Sequence, residues 1–266
     1  EAALYEAGYI LLLGHSDGLA EREQKHLSIL RGEGAAGLII IPSNAPGANY
    51  HYLGAGNGPT VAVYRLPHGL DTDLDTTNNR DAMREAVAHL ISHGYKDIAF
   101  INGPQGLNVT DERRLGYQDA LLAAGIPQQE SLIIHSDFRH AGGMSATTRL
   151  LGLRNPPRAV VVANNLMSLG ALQVIQERGL RIPDEIAIVS FDDMPWATSL
   201  SPALTAMAQP AEELGRTSAR LLLEKLENPR RPPRQIILPA RLMVRASCGQ
   251  HPGGTNSNRS SLEQRP

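Results

Sequence analysis

Short, continuous apolar runs rich in β-formers recur along this chain, with stretches of helical length between them. The runs are Ile10–Leu13, Leu38–Ile41, Val61–Tyr64, Ile98–Ile101, Leu132–Ile134, Ala159–Ala163, Ile186–Phe191 and Ile236–Leu238. They are unbroken rather than alternating, as strands covered on both faces should be. The intervening stretches carry apolar stripes at helical spacing. Ala82, Ala86, Val87, Leu90 and Ile91 form one, and Leu115, Ala120, Leu121 and Leu122 a second. Leu166, Leu169, Leu172, Val174 and Ile175 form a third; Leu214, Leu221, Leu222 and Leu226 form a fourth. Gly94, Gly125 and Gly179 follow three of the helices, where a left-handed C-cap is wanted, and Pro127 and Pro183 stop two of them. Strand alternating with helix predicts an α/β fold with parallel sheets and right-handed crossovers. The number of repeats predicts two such sheets, with a crossing near Ile101–Pro104.

Size and charge narrow what such a fold can do. At about 150 residues per domain, 266 residues leave room for about two modest domains. The net charge of −2 gives no basic footprint for nucleic acid within the chain itself. No apolar run approaches membrane-spanning length. The single cysteine, Cys248, excludes an internal disulfide and suits a reducing, cytoplasmic compartment. Residues 249–266 are polar and are expected to be disordered. The opening is the odd part. It starts on Glu rather than Met, and Glu1–Gly8 reads as the end of a helix followed by the strand Ile10–Leu13. The strand that should precede that helix in a βα unit is not there, which predicts a gap between unpaired edges in the N-terminal sheet.

Several motifs could carry chemistry. Gly14-His15-Ser16-Asp17-Gly18 matches the nucleophile elbow, but it lies on the first strand, with no earlier loop to supply an oxyanion donor. Gly32-Glu33-Gly34-Ala35-Ala36-Gly37 spells a dinucleotide fingerprint, yet it follows a helix and precedes a strand, the reverse of the required order. Asp192 and Asp193 follow the strand Ile186–Phe191, and adjacent residues on an extended chain face opposite ways. One carboxylate there is placed for a ligand; a general acid/base pair is not formed. Trp196, the only tryptophan, lies four residues on, so acid and ring together suit a carbohydrate or a heterocycle. Asn164 and Asn165 end another strand, where one caps a helix and the other is free to bond a ligand. Arg113 and Arg114 open a helix against its dipole and so call for an anionic or hydroxylated partner, unless Asp111 or Glu112 supplies it. The histidines, His89 and His93 included, show no metal-binding set.

Longer strings carry a resemblance. Asn79 with His89-Leu90-Ile91-Ser92-His93-Gly94-Tyr95-Lys96-Asp97-Ile98-Ala99-Phe100-Ile101-Asn102-Gly103-Pro104 resembles the subdomain-crossing segment of the LacI/GalR family of bacterial transcription regulators. So do Arg113-Arg114-Leu115-Gly116-Tyr117, Ala159–Asn165, Ile182–Asp193, Ser201–Pro210 and Leu242–Cys248, arriving in order from Glu1 to Cys248.

The resemblance implies a type I periplasmic-binding-protein-like fold: two doubly wound parallel-sheet subdomains joined by three crossovers, with a small effector held between them. It implies an N-terminal subdomain of 1–102 and 210–234 and a C-terminal one of 103–209 and 235–248. By position it makes Arg113, Asn164 and Asp192 polar ligand contacts, Phe138 the stacking aromatic and Gln209 a residue of the second crossover. Asp81 is a further candidate, and Trp196 an alternative stacking face. Asn78 and Asn165 stand where the family carries aspartate. The function implied is the effector-binding and dimerisation domain of a cytoplasmic regulator, with a sugar as effector and no catalysis, metal or cofactor. Operator DNA would be met only through an N-terminal helix-turn-helix absent from these residues. A transport-system sugar-binding protein is the alternative reading.

Overall fold

The computed structural model describes residues 1–45, 48–53 and 58–249. They fall into two compact units. The first comprises Glu1–Ala82, Pro104–Gly116 and Ala208–Arg241. Its sheet holds β1 (Leu38–Ile40), β2 (Thr60–Val63), β3 (Asp73–Thr77) and β9 (Gln235–Leu238) in that order, all parallel. Helix α7 (Ala211–Glu227) lays its predicted stripe on this sheet and buries Leu214, Leu221 and Leu222. Each such leucine contributes about 1.5–3 kcal/mol of burial. A second cluster gathers Leu27 of α2 (Ala20–Gly32) with Leu38, Ile40, Tyr50 and Leu53.

Polar groups inside this unit are matched with care. The Glu23 carboxylate accepts the Ser43 N–H at 2.9 Å, the Ser43 hydroxyl at 2.5 Å and the Tyr50 hydroxyl at 2.7 Å. Burial pushes the Tyr50 phenol up to about 12. Strand β3 reads Asp-Leu-Asp-Thr-Thr, yet all five residues are buried. Asp73 accepts a two-pronged pair from Arg231 at 2.7 and 2.8 Å and the Arg234 N–H at 2.8 Å. Asp75 accepts the Ser218 hydroxyl at 2.9 Å through one oxygen, and its other oxygen has no partner among the described residues.

The second unit comprises Met83–Gly103, Tyr117–Met207 and the chain from Leu242. Its sheet runs in the order β10 (Arg241–Met243), β8 (Thr205–Ala208), β7 (Ala187–Phe191), β6 (Ala159–Val162), β4 (Ile98–Asn102), β5 (Ile133–His135). The pairs β4–β5, β4–β6, β6–β7 and β7–β8 are parallel. β4, β6 and β7 are buried along their whole length, as their unbroken apolar runs predict. Helices α5 (His140–Leu151) and α6 (Asn165–Glu177) pack through glycine. A Cβ on Gly143 would lie 2.2 Å from the Met167 carbonyl oxygen, and one on Gly170 2.2 Å from that of His140. Helices α3 (Asn79–Ser92) and α4 (Asn108–Ala123) each begin in the first unit and end in the second.

The chain therefore changes sheet three times, after β3, β8 and β9. The expected boundaries are corrected in both directions: residues 83–102 fall in the second unit and Pro104–Gly116 in the first, and two strands change sides. Residues 98–102 form β4 and belong to the second sheet, because Ile98 to Ile101 pair with Ala159 to Val162. Residues 235–238 belong to the first, because Gln235 to Leu238 pair with Leu74 to Thr77. Of the segment expected to be disordered, residues 250–266 lie outside the described residues, and Gly249 closes the turn Ala246–Cys248.

Ile10–Leu13 is corrected too. Helix α1 (Ala2–Glu6) is followed by a turn through Gly8, with positive φ, but the run after it joins no sheet, and Ile10 and Leu13 are 86% and 91% exposed. A strand needs a hydrogen-bonded neighbour. A cavity of about 590 Å³ instead borders both Leu11–Leu13 and Leu38–Ile41, and the outer edge of β1 pairs with no strand among the described residues.

Candidate functional site

Ligands of open parallel sheets bind outside the carboxyl ends of the strands, at the point where the order of connection reverses. In the second unit that point is β4, with β5 on one side and β6 on the other. The segments leaving β5, β6 and β7 bring Phe138, Asn164 and Asp192 to this edge.

Phe138 has a positive φ of 62°. Its carbonyl accepts the Asn164 Nδ2–H at 2.9 Å. The Asn164 Oδ1 meanwhile accepts the Met167 N–H at 3.0 Å and caps α6. Asn164 is thus the capping asparagine of the pair, and both ends of its amide are engaged within the protein. Asp192 also has a positive φ, 73°, and its own N–H donates to the Met207 carbonyl at 2.9 Å. Its carboxylate stands at the N-terminus of α6, 3.4 Å from the Asn165 N–H, where the helix dipole favours a negative charge. Asp193 turns the other way and meets Arg245 through two bonds of 2.7 Å. That contact raises the Arg245 guanidinium above its ordinary value. The two carboxylates are parted, one at the sheet edge and one in an ion pair, across a left-handed Asp192 backbone that is no longer strand. Trp196 is half-buried in the turn Pro195–Thr198 that follows.

In the first unit the remaining candidates gather around the end of β3. Arg113 is 4% exposed, and its Nε–H donates to the Asn79 Oδ1 at 2.9 Å. The Asn79 amide in turn donates to the Thr77 carbonyl at 3.0 Å. Burial raises the Glu112 carboxyl; the hydrogen bond with Asn79 and the charge of Arg113 work against that rise. Helix α4 starts at Asn108, so Arg113 stands beyond its first turn rather than opening it, and the conflict with the dipole is correspondingly small. The Gln209 Oε1 accepts the Thr77 hydroxyl at 2.9 Å. Asp81 sits in the first turn of α3, two residues from Asn79.

Sequence reasoning passed over Asn79, Thr77 and Gly103 as members of these groups. A buried asparagine at a helix start is the one signal that could have found the first.

The rejected motifs stay rejected. No strand precedes His15 and Ser16, and Leu19, not Asp17, holds the N-cap position of α2. Asp17 pairs with Arg22 and with His15. Gly34, with φ 71°, turns the chain from α2 toward β1, a helix-to-strand loop. The His89 and His93 rings lie 4.7 Å apart edge to face. Among the described residues no three His, Cys, Asp or Glu groups could hold a metal ion. No helix there is long and apolar enough to cross a membrane.

Comparison with known proteins agrees with this architecture. Residues 87–248 match the periplasmic binding protein-like domain family. The chain is 39% identical over 253 residues to the HTH-type transcriptional regulator CelR of Thermobifida fusca, covering 92% of this chain and 72% of that protein. It is 31% identical over 254 residues to the HTH-type transcriptional repressor PurR of Erwinia tasmaniensis, covering 95% and 74%. Among solved structures, a CelR–cellobiose complex superposes with a TM-score of 0.82 at 32% identity, covering 92% of this chain and 76% of that one. A LacI-type regulator from Bacillus cereus gives 0.85 at 31% identity, covering 94% and 89%. The chain belongs to the LacI/GalR family of transcription regulators and is its effector-binding domain, with the periplasmic-binding-protein-like fold.

Proposed function

We propose that the effector is a sugar or sugar derivative of the cellobiose type. Asp192 accepts its hydroxyl protons, and Phe138 or Trp196 offers a ring face to its C–H surface. The observation that carries this reading is the edge of the second sheet, where an aromatic ring, a capped helix start and the Asp192 carboxylate come from successive strand ends. Apolar ring plus hydroxyl acceptor is the chemistry a sugar presents a need for. Similarity to CelR, solved with cellobiose, supports the same class. Arg113, Gln209 and Asp81 are the polar candidates of the first unit, and Asn164 acts from the α6 cap.

Similarity to transcriptional regulators supports a binding role without catalysis for this domain. It acts as a homodimer in the cytoplasm. The net charge of −2 agrees with a domain that does not itself hold DNA, since phosphate contacts need clustered Lys and Arg. Similarity to HTH-type regulators supports contact with operator DNA through a helix-turn-helix outside these residues. Similarity to CelR and PurR, both regulators, disfavours a transport role.

The test is calorimetry with a panel of mono- and disaccharides that includes cellobiose. A sugar is expected to bind, and Asp192→Ala to weaken it by about 10- to 100-fold, the worth of a hydrogen bond to a charged group. Affinity unchanged by that substitution refutes the assignment.

A further inference from the structure

Gly103 and Asn164 come from different strand ends and share one neighbour, Phe138. The φ of Gly103 lies outside the left-handed region, so its backbone does not call for glycine. Its surroundings do. A Cβ at position 103 would lie 2.0 Å from Cζ of Phe138 and 2.4 and 2.5 Å from the two Cε atoms, where real Cβ contacts almost never fall below 3.0 Å. The tip of the ring therefore occupies the space that any other side chain would claim. The Gly103 carbonyl is itself held, 3.0 Å from His135 Nδ1.

Asn164 shows the same double fit. Serine or aspartate would cap α6 as well as asparagine does. Only asparagine caps with its oxygen while turning an amide donor to the Phe138 carbonyl. That bond holds a backbone conformation, φ 62°, which phenylalanine adopts only at a cost. Neither residue's identity is explained by its own backbone or helix; the placement of the ring explains both.

We infer that Gly103 and Asn164 are positioning residues that seat the Phe138 ring in a single pose, and so set which sugar face the site accepts. The inference rests on the reading of Phe138 as the stacking face of a sugar site.

The experiment has two arms on the whole chain. In the first, phenylalanine is the only ¹³C-labelled residue, so Phe100, Phe138 and Phe191 give three ring spin systems. Phe100 and Phe191 are fully buried and serve as controls. Gly103→Ala is expected to move or broaden the Phe138 signals most. Asn164→Asp, which keeps the capping oxygen, is expected to do the same while leaving the melting temperature nearly unchanged. In the second arm, each substitution is expected to weaken cellobiose binding about tenfold alone, yet cost nothing further in a Phe138→Ala background.

Phe138 signals untouched by both substitutions would overturn the inference, as would losses that add in full to that of Phe138→Ala. Should the unaltered chain bind no sugar, the effector reading falls, while the ring signals still decide whether these residues seat Phe138.

Discussion

Asp75→Asn is expected to stabilise the protein, and to do so only where the native carboxyl would be charged. Asp75 is fully buried in β3. Burial is the main cause that pushes its carboxyl from 3.8 up to about 6; the Ser218 hydrogen bond pulls the other way, Glu213 adds to the rise and Arg220 opposes it. The folded state therefore binds this proton more tightly than the unfolded chain does. The penalty for the charged form is full above about pH 6 and disappears as pH falls from there toward 3.8. A shift of about two units, at about 1.4 kcal/mol each, sets that penalty near 3 kcal/mol. Asparagine is neutral at every pH, has the same shape, and keeps an oxygen for the Ser218 hydroxyl. Its amide stands where the second Asp75 oxygen has no partner, as the proton of the neutral acid does. The variant should thus match the native chain at pH 4 and exceed it at pH 8 by up to about 3 kcal/mol. For a chain of this size that is a rise in Tm of about 6–12 °C. Melting followed by circular dichroism from pH 4 to pH 8 measures it. A Tm difference that stays constant across that range would refute the reasoning, as would a variant less stable at pH 8.

Two further substitutions probe the packing. Gly170→Ala places a methyl 2.2 Å from the His140 carbonyl oxygen and 2.8 Å from the Met144 nitrogen, both backbone atoms that cannot swing aside. It should cost about 1–3 kcal/mol by overpacking, read as a lower urea midpoint. Arg231→Ala removes both guanidinium bonds from the buried Asp73 carboxylate, leaving it the Arg234 N–H, and should cost about 3–5 kcal/mol. Combining Asp73→Asn with Arg231→Met should recover part of that loss in the same denaturation assay, because no buried charge then remains.

The strands plainest in the sequence are those covered mainly by apolar neighbours. β4, β6 and β7 are such strands, with Asn102 and Ser190 the polar exceptions. β3 stayed hidden because Asp73 and Asp75 read as surface residues until Arg231, Arg234 and Ser218 are brought alongside, some 140 to 160 positions later. Ile10–Leu13 misled in the opposite sense: its composition is that of a strand, and composition says nothing about whether a neighbour stands beside it. At the candidate site Asp192 and Asp193 do part, as expected, but Asp192 is left-handed rather than extended, so strand alternation is not the reason. No local rule tells that the Asn164 amide reaches Phe138, since 26 residues separate them.

The three changes of sheet have a consequence for anyone who handles the gene. Neither sheet is a contiguous stretch: the first takes β9 from beyond β8, and the second takes β10 from beyond β9. No single cut releases either unit whole. A stop codon after β8 would strip the first unit of α7 and β9, and the second of β10 and the closing turn Ala246–Cys248. To obtain one unit by itself, its pieces must be rejoined in a new order of sequence. The smallest portable module is therefore the pair.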